Sequence, residues 1–331
     1  MIQAHPNNSQ LTIIVPVFNV EQYLEECLDS IQASCFTDYQ ALLIDDGSID
    51  SSGKICDEFA AQDSRFHAYH LTNRGVSAAR NYGLSQSNSP YIMFIDSDDL
   101  IEPDFLQETI IKGEEDFSFS GYKDYYSGNT LRIEATENRY YSIQEFREKV
   151  KTLGRAAIPF CVWRGCYRSK IIKENNICFD EQCGLGEDIL FNLDYFECCK
   201  KIRETVNSGY LYRQVHTSLR HKYYPEMTEK HEREVHALEQ FACQDNMRWR
   251  YYGWHVVLQH YSKWADDKDG QVASDAKKRL KKAYKSKYFR ESIPYIRKEG
   301  STDEKIETHF MNYYSHWFFE MLLKGYQSVS S

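Results

Sequence analysis

A mostly parallel α/β sheet covered by helices on both faces, followed by a helical C-terminal domain, is the architecture this sequence predicts. Two observations carry it. Apolar, β-branched runs alternate with segments of helical spacing over the first hundred residues, the pattern of strands buried on both faces. Polar residues then follow three of these runs: Asn19, the pair Asp45 and Asp46, and the aspartates of IDSDD at 95–99. Open parallel sheets bind ligands at the carboxyl ends of their strands, so these residues fall where a ligand would sit.

The elements follow in order. LTIIVPVF (11–18) predicts the first strand, closed by NVEQ and followed by Val20, Tyr23, Leu24, Cys27, Leu28 and Ile31 at helical spacing. ALLIDDGS (41–48) predicts a second buried strand, with Asp50 as the cap of a helix carrying Ile55, Cys56, Phe59 and Ala60. FHAYHL (66–71) is the third, ahead of a helix from Val76, and YIMFIDSDD (91–99) the fourth. After residue 115, DFSFSGYKDYYSG and NTLRIEA read as shorter antiparallel strands, with a helix over 142–152 and a further strand at FCVWRGCY. CGLGED then opens the helix ILFNLDYFECC. From 226 to the end the chain reads as helices rich in tyrosine, tryptophan and lysine, which sets the expected domains at 1–225 and 226–331.

Composition narrows the function. At 331 residues with 42% hydrophobic side chains the chain can bury a large core and a smaller partner domain. No run approaches the apolar length of a membrane span, and MIQAHPNNSQ lacks a basic start or an apolar signal core. A cytoplasmic protein is expected. Ten cysteines without a CxxC pair read as reduced, buried thiols rather than a disulfide framework or a zinc site. The net charge of -9 is uneven: residues 1–221 carry 21 basic and 33 acidic residues, whereas 222–331 carry 19 and 16. That balance argues against a nucleic-acid partner.

The acidic cluster IMFIDSDDLIEP raises the sharpest question. Adjacent carboxylates repel unless water or a cation holds them apart. An EF-hand loop is excluded, because the sixth residue from Asp96 is Ile101 rather than glycine. GSIDSSGKI fails as a phosphate loop, with one residue too many between its glycines and Ile55 where Ser or Thr is required.

Taken together, IIVPVFN, LIDDGSIDSSGKICDEFA, NRGVSAARNYGL, YIMFIDSDDLIEPDFL and GEDILFN stand in the order and spacing of a known family: residues 11 to about 220 resemble a family 2 glycosyltransferase of the GT-A fold. The resemblance implies an enzyme that transfers a hexose, galactose ahead of glucose, from a UDP-sugar with inversion. It implies Pro16 and Phe18 lining the uracil and Asp46, with Asp45, hydrogen-bonding it. A carboxylate accepts the imide N–H and a ring stacks on the base; the alternative is that Phe18 is core. Asn73, Gly75 and Arg80 match the segment beside the ribose and diphosphate, and Arg80 either grips phosphate or pairs with an aspartate.

Asp96, Ser97 and Asp98 match the DxD motif, Asp96 near the ribose and Asp98 ligating Mn²⁺ or Mg²⁺, hard cations suited to oxygen ligands. His216, with His221 as the other choice, is the expected histidine of that metal site, and Arg213 the residue assisting the diphosphate. Asp99 is expected to cap the next turn, with Pro103 starting a helix. Glu187 and Asp188 match the acidic pair near the acceptor, Asp188 as general base; the alternative is that both merely favour a helix N-terminus. One segment departs from the family's pattern. Arg164 and Gly165 follow Trp163 where a lysine two residues after the tryptophan is common, so no phosphate contact is carried over there.

The remaining expectations concern partners. AKKRLKKAYKSKYFR carries eight basic and no acidic residues. With Leu280, Ala283, Tyr284 and Tyr288 on one stripe, it is either an amphipathic helix on the inner face of an anionic membrane or a solvated face over a helical core. Trp249, Tyr251, Tyr252 and Trp254 are expected to pack between helices rather than stack on sugars. The acceptor is a glycan on a protein, a polysaccharide or a lipid. Two other readings stay open, a sugar nucleotidyltransferase and a carbohydrate-binding protein of the same fold without activity.

Overall fold

The structure, a computed structural model, describes residues 9–126, 129–134, 137–153, 161–183, 186–214, 223–243, 246–265 and 267–299. The chain divides into two units, Met1–His216 and Thr217–Ser331.

In the first unit β1 (Leu11–Val17), α1 (Glu21–Gln32), β2 (Tyr39–Asp45), α2 (Ser52–Gln62), β3 (Phe66–His70), α3 (Val76–Gln86) and β4 (Tyr91–Phe94) alternate. Their strands pair in parallel in the order β3-β2-β1-β4. Every residue of β1 and β2 is buried, which is why both read as unbroken apolar runs rather than alternating ones. The helix entries are tied together: Asp50 accepts from Ser52 N (2.9 Å) and Glu21 N (3.1 Å), and Glu21 accepts from Ser51 N (2.8 Å). The N-cap position of α2 is Ser51, one residue after the expected Asp50, which still accepts the first helical N–H and braces α1 as well.

Beyond β4 come β5 (Leu100–Ile101), α4 (Phe105–Thr109), β6 (Phe117–Phe119), β7 (Tyr122–Tyr126), β8 (Asn129–Glu134), β9 (Arg139–Ser142), α5 (Ile143–Leu153), β10 (Gly165–Arg168), α6 (Ser169–Glu174), α7 (Glu187–Glu197), β11 (Lys201–Glu204) and β12 (Tyr210–Arg213). The main sheet continues β4-β10-β6-β11-β9, and β5-β12-β7-β8 forms a second sheet. The antiparallel expectation holds for β7 with β8 but not for β6 with β11 or β12 with β7, which run parallel. Those partners lie far apart in sequence, where local patterning carries no signal.

The strand expected over FCVWRGCY is confined to Gly165–Arg168, because Val162–Arg164 forms a single 3-10 turn. That turn lays the Trp163 ring on Tyr210 (4.2 Å between centroids) and beside Tyr212 (5.5 Å). Gly165 lies under the Phe117 ring, and a Cβ there would stand 2.3 Å from it. Arg164, buried, donates from Nε to Ser120 O (2.9 Å).

The second unit contains α8 (Met227–Phe241), α9 (Met247–Trp264), α10 (Gly270–Tyr284), α11 (Lys287–Arg290) and α12 (Ile293–Glu299). The other four pack on α9. Its core includes Leu238, Trp249, Tyr251, Val257, Leu258 and Tyr261, so these two of the four aromatics pack between helices. The basic run is broken between α10 and α11, and Leu280 and Ala283 are buried: the lysines cover a helical core. Among the described residues no helix is long and apolar enough to cross a membrane.

Candidate functional site

Because β1 to β4 are parallel, the segments that follow them meet along one edge. Phe18, directly after β1, is 49% exposed, so it is not part of the core, while Pro16 within the strand is buried. Asp46 is buried and accepts two backbone donors, Arg74 N at 2.9 Å and Gly75 N at 2.7 Å. Gly75, at φ +94°, begins α3 in a backbone conformation that side chains rarely adopt. Asn73 and Gly75 are exposed at this edge. Asp45 accepts from Ser48 N (2.9 Å) and pairs with His70 Nδ1 (2.8 Å). Burial opposes its charge, but the bonds from Ser48 and His70 prevail and hold its pKa below the ordinary carboxylate value.

The centre of the site is Arg80. α3 carries it inward, where its guanidinium reaches Asp96 Oδ1 at 3.0 Å, Glu187 Oε1 at 3.1 Å and Asp188 Oδ1 at 2.6 Å. It also lies over the Phe179 ring, 5.3 Å from its centroid. Of the two readings open in the sequence, the structure realises the carboxylate pairing. Burial works against the guanidinium charge, yet the carboxylates of Asp188, Asp96 and Glu187 outweigh it and raise its pKa. One cation facing three carboxylates leaves a surplus of negative charge.

That surplus tunes the acids. Burial, reinforced by Glu187 and Asp96 and only partly offset by Arg80, pushes the Asp188 carboxyl well above its ordinary range. Its Oδ2 lies 3.4 Å from Val162 N, a long contact, and its carboxyl also interacts with Glu187. Glu187 and Asp188 open α7 behind Gly186, and their bonds to Arg80 are more than a helix N-terminus requires. Asp98 is raised to about 6 by burial and by the Asp96 charge.

Asp99 corrects the sequence reading. It does not cap a turn at Pro103: α4 starts at Phe105, and Asp99 is buried, accepting from Tyr210 OH and from Arg213 N, each at 2.7 Å. Tyr210 OH in turn accepts from Asp96 N (3.2 Å). Arg213 donates from Nε to Asp98 O (2.8 Å) and from Nη2 to Glu26 (2.6 Å), between the rings of Tyr23 and Tyr125. The aspartate loop is therefore pinned to β12, with Ser97 buried inside it. His216 and His221 lie outside the described residues.

Sequence reasoning missed four of these parts: Tyr210, Phe179, Glu26 and the His70 bridge. Only His70 left a trace, as a polar residue ending an apolar strand at the ligand edge.

Asp96 and Asp98 fit a hard divalent cation. Both offer oxygen, and burial and the Asp96 charge raise the Asp98 carboxyl despite its own backbone N–H and the nearby Arg213 charge, so a cation would relieve the repulsion between the two aspartates. No three His, Cys, Asp or Glu side chains form a ready ligand set among the described residues, so a bound cation would complete its shell with ligand oxygens and water.

Comparison with known proteins shows the family and the fold. The model of glycosyl transferase family 2 matches residues 12–174. EpsJ of Bacillus subtilis, an uncharacterised glycosyltransferase, is 31% identical over 233 residues, which cover 69% of this chain and 68% of that protein. The minor teichoic acid biosynthesis protein GgaB of the same organism is 32% identical over 188 residues, 55% of this chain but only 20% of GgaB. The fold matches S. aureus TarS 1-349, solved in complex with UDP-GlcNAc, with a TM-score of 0.63 at 17% identity over 96% of this chain and 92% of that one. The family match and the similarity to EpsJ over two thirds of both proteins carry the conclusion: the chain belongs to glycosyl transferase family 2 and is a glycosyltransferase.

Proposed function

We propose that the protein transfers a hexosyl or N-acetylhexosaminyl group from a UDP-sugar to a hydroxyl of a growing bacterial envelope glycan, with inversion at the anomeric carbon. The observation that carries this reading is the Arg80 cluster, which joins the expected donor carboxylate Asp96 to the expected acceptor carboxylates Glu187 and Asp188 within 3.1 Å of one side chain. The TarS complex with UDP-GlcNAc supports a UDP-linked donor, and the relation to GgaB supports a polymer of the cell envelope as acceptor.

The residues divide the work. Phe18 offers its exposed ring to the base, and Asp46, with Asp45, supplies acceptor oxygens for the uracil imide. Asn73 and Gly75 line the path of the ribose and diphosphate. Asp98 and Asp96 would hold Mn²⁺ or Mg²⁺, which neutralises charge on the departing nucleoside diphosphate. Asp188 accepts the proton of the attacking hydroxyl at Oδ2, and its raised proton affinity suits a base. Arg80 keeps the resulting acid and its neighbours in place. A single base on the acceptor side fits direct displacement, hence inversion, as the family resemblance implies.

The test is UDP release from UDP-galactose, UDP-glucose and UDP-N-acetylglucosamine with Mn²⁺, with and without chelator. Galactose leads the sequence expectation, and N-acetylglucosamine is the sugar bound by the fold relative. Chelator-sensitive release from one donor supports the reading. UDP that neither forms nor binds in calorimetry contradicts it.

A further inference from the structure

The functional reading leaves two charged side chains at the nucleotide edge, His70 and Asp57, without a task. At the end of β3, His70 sits between two carboxylates, with Nδ1 2.8 Å from Asp45 Oδ2 and Nε2 3.1 Å from Asp57 Oδ1. Ionised carboxylates only accept, and a neutral imidazole carries a single N–H, so both contacts are hydrogen bonds only when the ring holds two protons. From Asp45 the chain of bonds runs on into the site. Its other oxygen accepts from Ser48 N (2.9 Å), Ser48 Oγ accepts from Asn19 N (3.0 Å), and Asn19 Oδ1 accepts from Ile49 N (2.9 Å). Asn19 is the neighbour of Phe18, and Asp45 the neighbour of Asp46. Gly53 closes the other side, since a Cβ there would lie 2.9 Å from Asp45 Oδ2.

We infer that His70, as an imidazolium, is a positioning residue for the donor nucleotide: it clamps Asp45 and so sets the two loops that carry Phe18 and Asp46. The inference rests on the reading of this edge as the UDP site. The titratable groups around it are Asp45 from β2 and Asp57 and Cys56 from α2. The Cys56 thiol is pushed to about 12 by burial and by Asp45 and Asp57, so it stays neutral. The bonds to Asp45 and Asp57 raise the His70 pKa above 6.5 against a smaller effect of burial. Since the charged ring is the clamping form, UDP affinity is highest below that pKa and declines as pH rises through it.

The experiment is calorimetric titration of UDP with MgCl₂ into the wild type and His70→Gln from about pH 6 to about pH 8.5. Ionisation of UDP itself cancels in the ratio of the two affinities. The wild type is expected to bind about fivefold more tightly at the acid end, with the two converging at the alkaline end. Asp57→Asn, at a side chain that is 67% exposed and whose removal leaves the core intact, is expected to move the wild-type decline to lower pH. An affinity ratio that stays constant with pH overturns the inference while leaving the UDP site standing, as does an Asp57→Asn profile identical to the wild type, which decides the matter should His70→Gln not fold. A wild type that binds UDP at no pH overturns the site reading and this inference with it.

Discussion

Each unit of the molecule buries an arginine among carboxylates, and the two clusters differ in a way that separates chemistry from architecture. In the second unit Arg250 makes two bonds to Glu239, 2.8 and 3.0 Å, and a third to Glu291 at 3.1 Å, under the ring of Tyr288. Glu239 also accepts from Asn246 N and Tyr288 OH. The Glu239 side chain is only 4% exposed and is held by Arg250, Asn246 N and Tyr288 OH, with Glu291, 46% exposed, at the rim, so the group acts as a fastener between α8, α9 and α11. In the first unit Arg80 is buried at least as deeply, but it faces three carboxylates rather than two, and Asp96, Glu187 and Asp188 are 27%, 12% and 19% exposed. Each of the three is thus partly open, whereas the main partner of Arg250 is closed off. That arrangement suits a site that handles a cation, a diphosphate and a proton.

The comparison can be broken by substitution. The largest effect is expected from Asp98→Ala, which should lower UDP release about a thousandfold, the several kcal/mol of transition-state stabilisation a metal provides, and abolish its response to added Mn²⁺. A variant with wild-type metal response would remove Asp98 from the site. Next come the two arginines. Arg80→Met and Arg250→Met should each cost about 3–5 kcal/mol in urea unfolding, since both strand buried carboxylates. Only Arg80→Met should also weaken UDP binding in calorimetry, and equal effects on UDP would erase the distinction between the clusters. Gly165→Ala should cost about 1–3 kcal/mol through its clash with Phe117, read from the same unfolding curves.

The smallest effect is one of pH on stability. Because the folded His70 pKa is raised, its contribution is fully present below the unfolded value of 6.5 and is lost as pH rises through the folded value. With the ring about half exposed, the stability difference between wild type and His70→Gln should stay below ~1 kcal/mol at acid pH and vanish at alkaline pH. A difference that grows with pH would reverse the assignment of the charged form.

Much of the first unit was legible in the sequence because its signals are local. β1 and β2 announce themselves as unbroken apolar runs, and Asp46, Asp96 and Asp188 each sit in a short segment at the end of a strand or the start of a helix. What stayed hidden depends on distant partners. Arg80 meets Glu187 and Asp188 across 107 and 108 positions, and Tyr210 meets Asp99 across 111. Nothing in the residues flanking Asp99 distinguishes a turn cap from a tether to β12. The same limit applied to VWRGCY, where the apolar run suggested a strand but the stacking of Trp163 on Tyr210 and Tyr212 required a turn. In the second unit the basic run was readable as charge, but only the burial of Leu280 and Ala283 shows which face it covers.

The proposed sugar-transfer site is the open arginine cluster with Asp188 as its base. It is tested most directly by measuring UDP binding and UDP release side by side for the wild type and Asp188→Asn. The account predicts UDP affinity within about twofold of the wild type and release lowered by about two to four orders of magnitude, the range of a lost general base. Release at the wild-type rate from Asp188→Asn, with UDP bound normally, would contradict it.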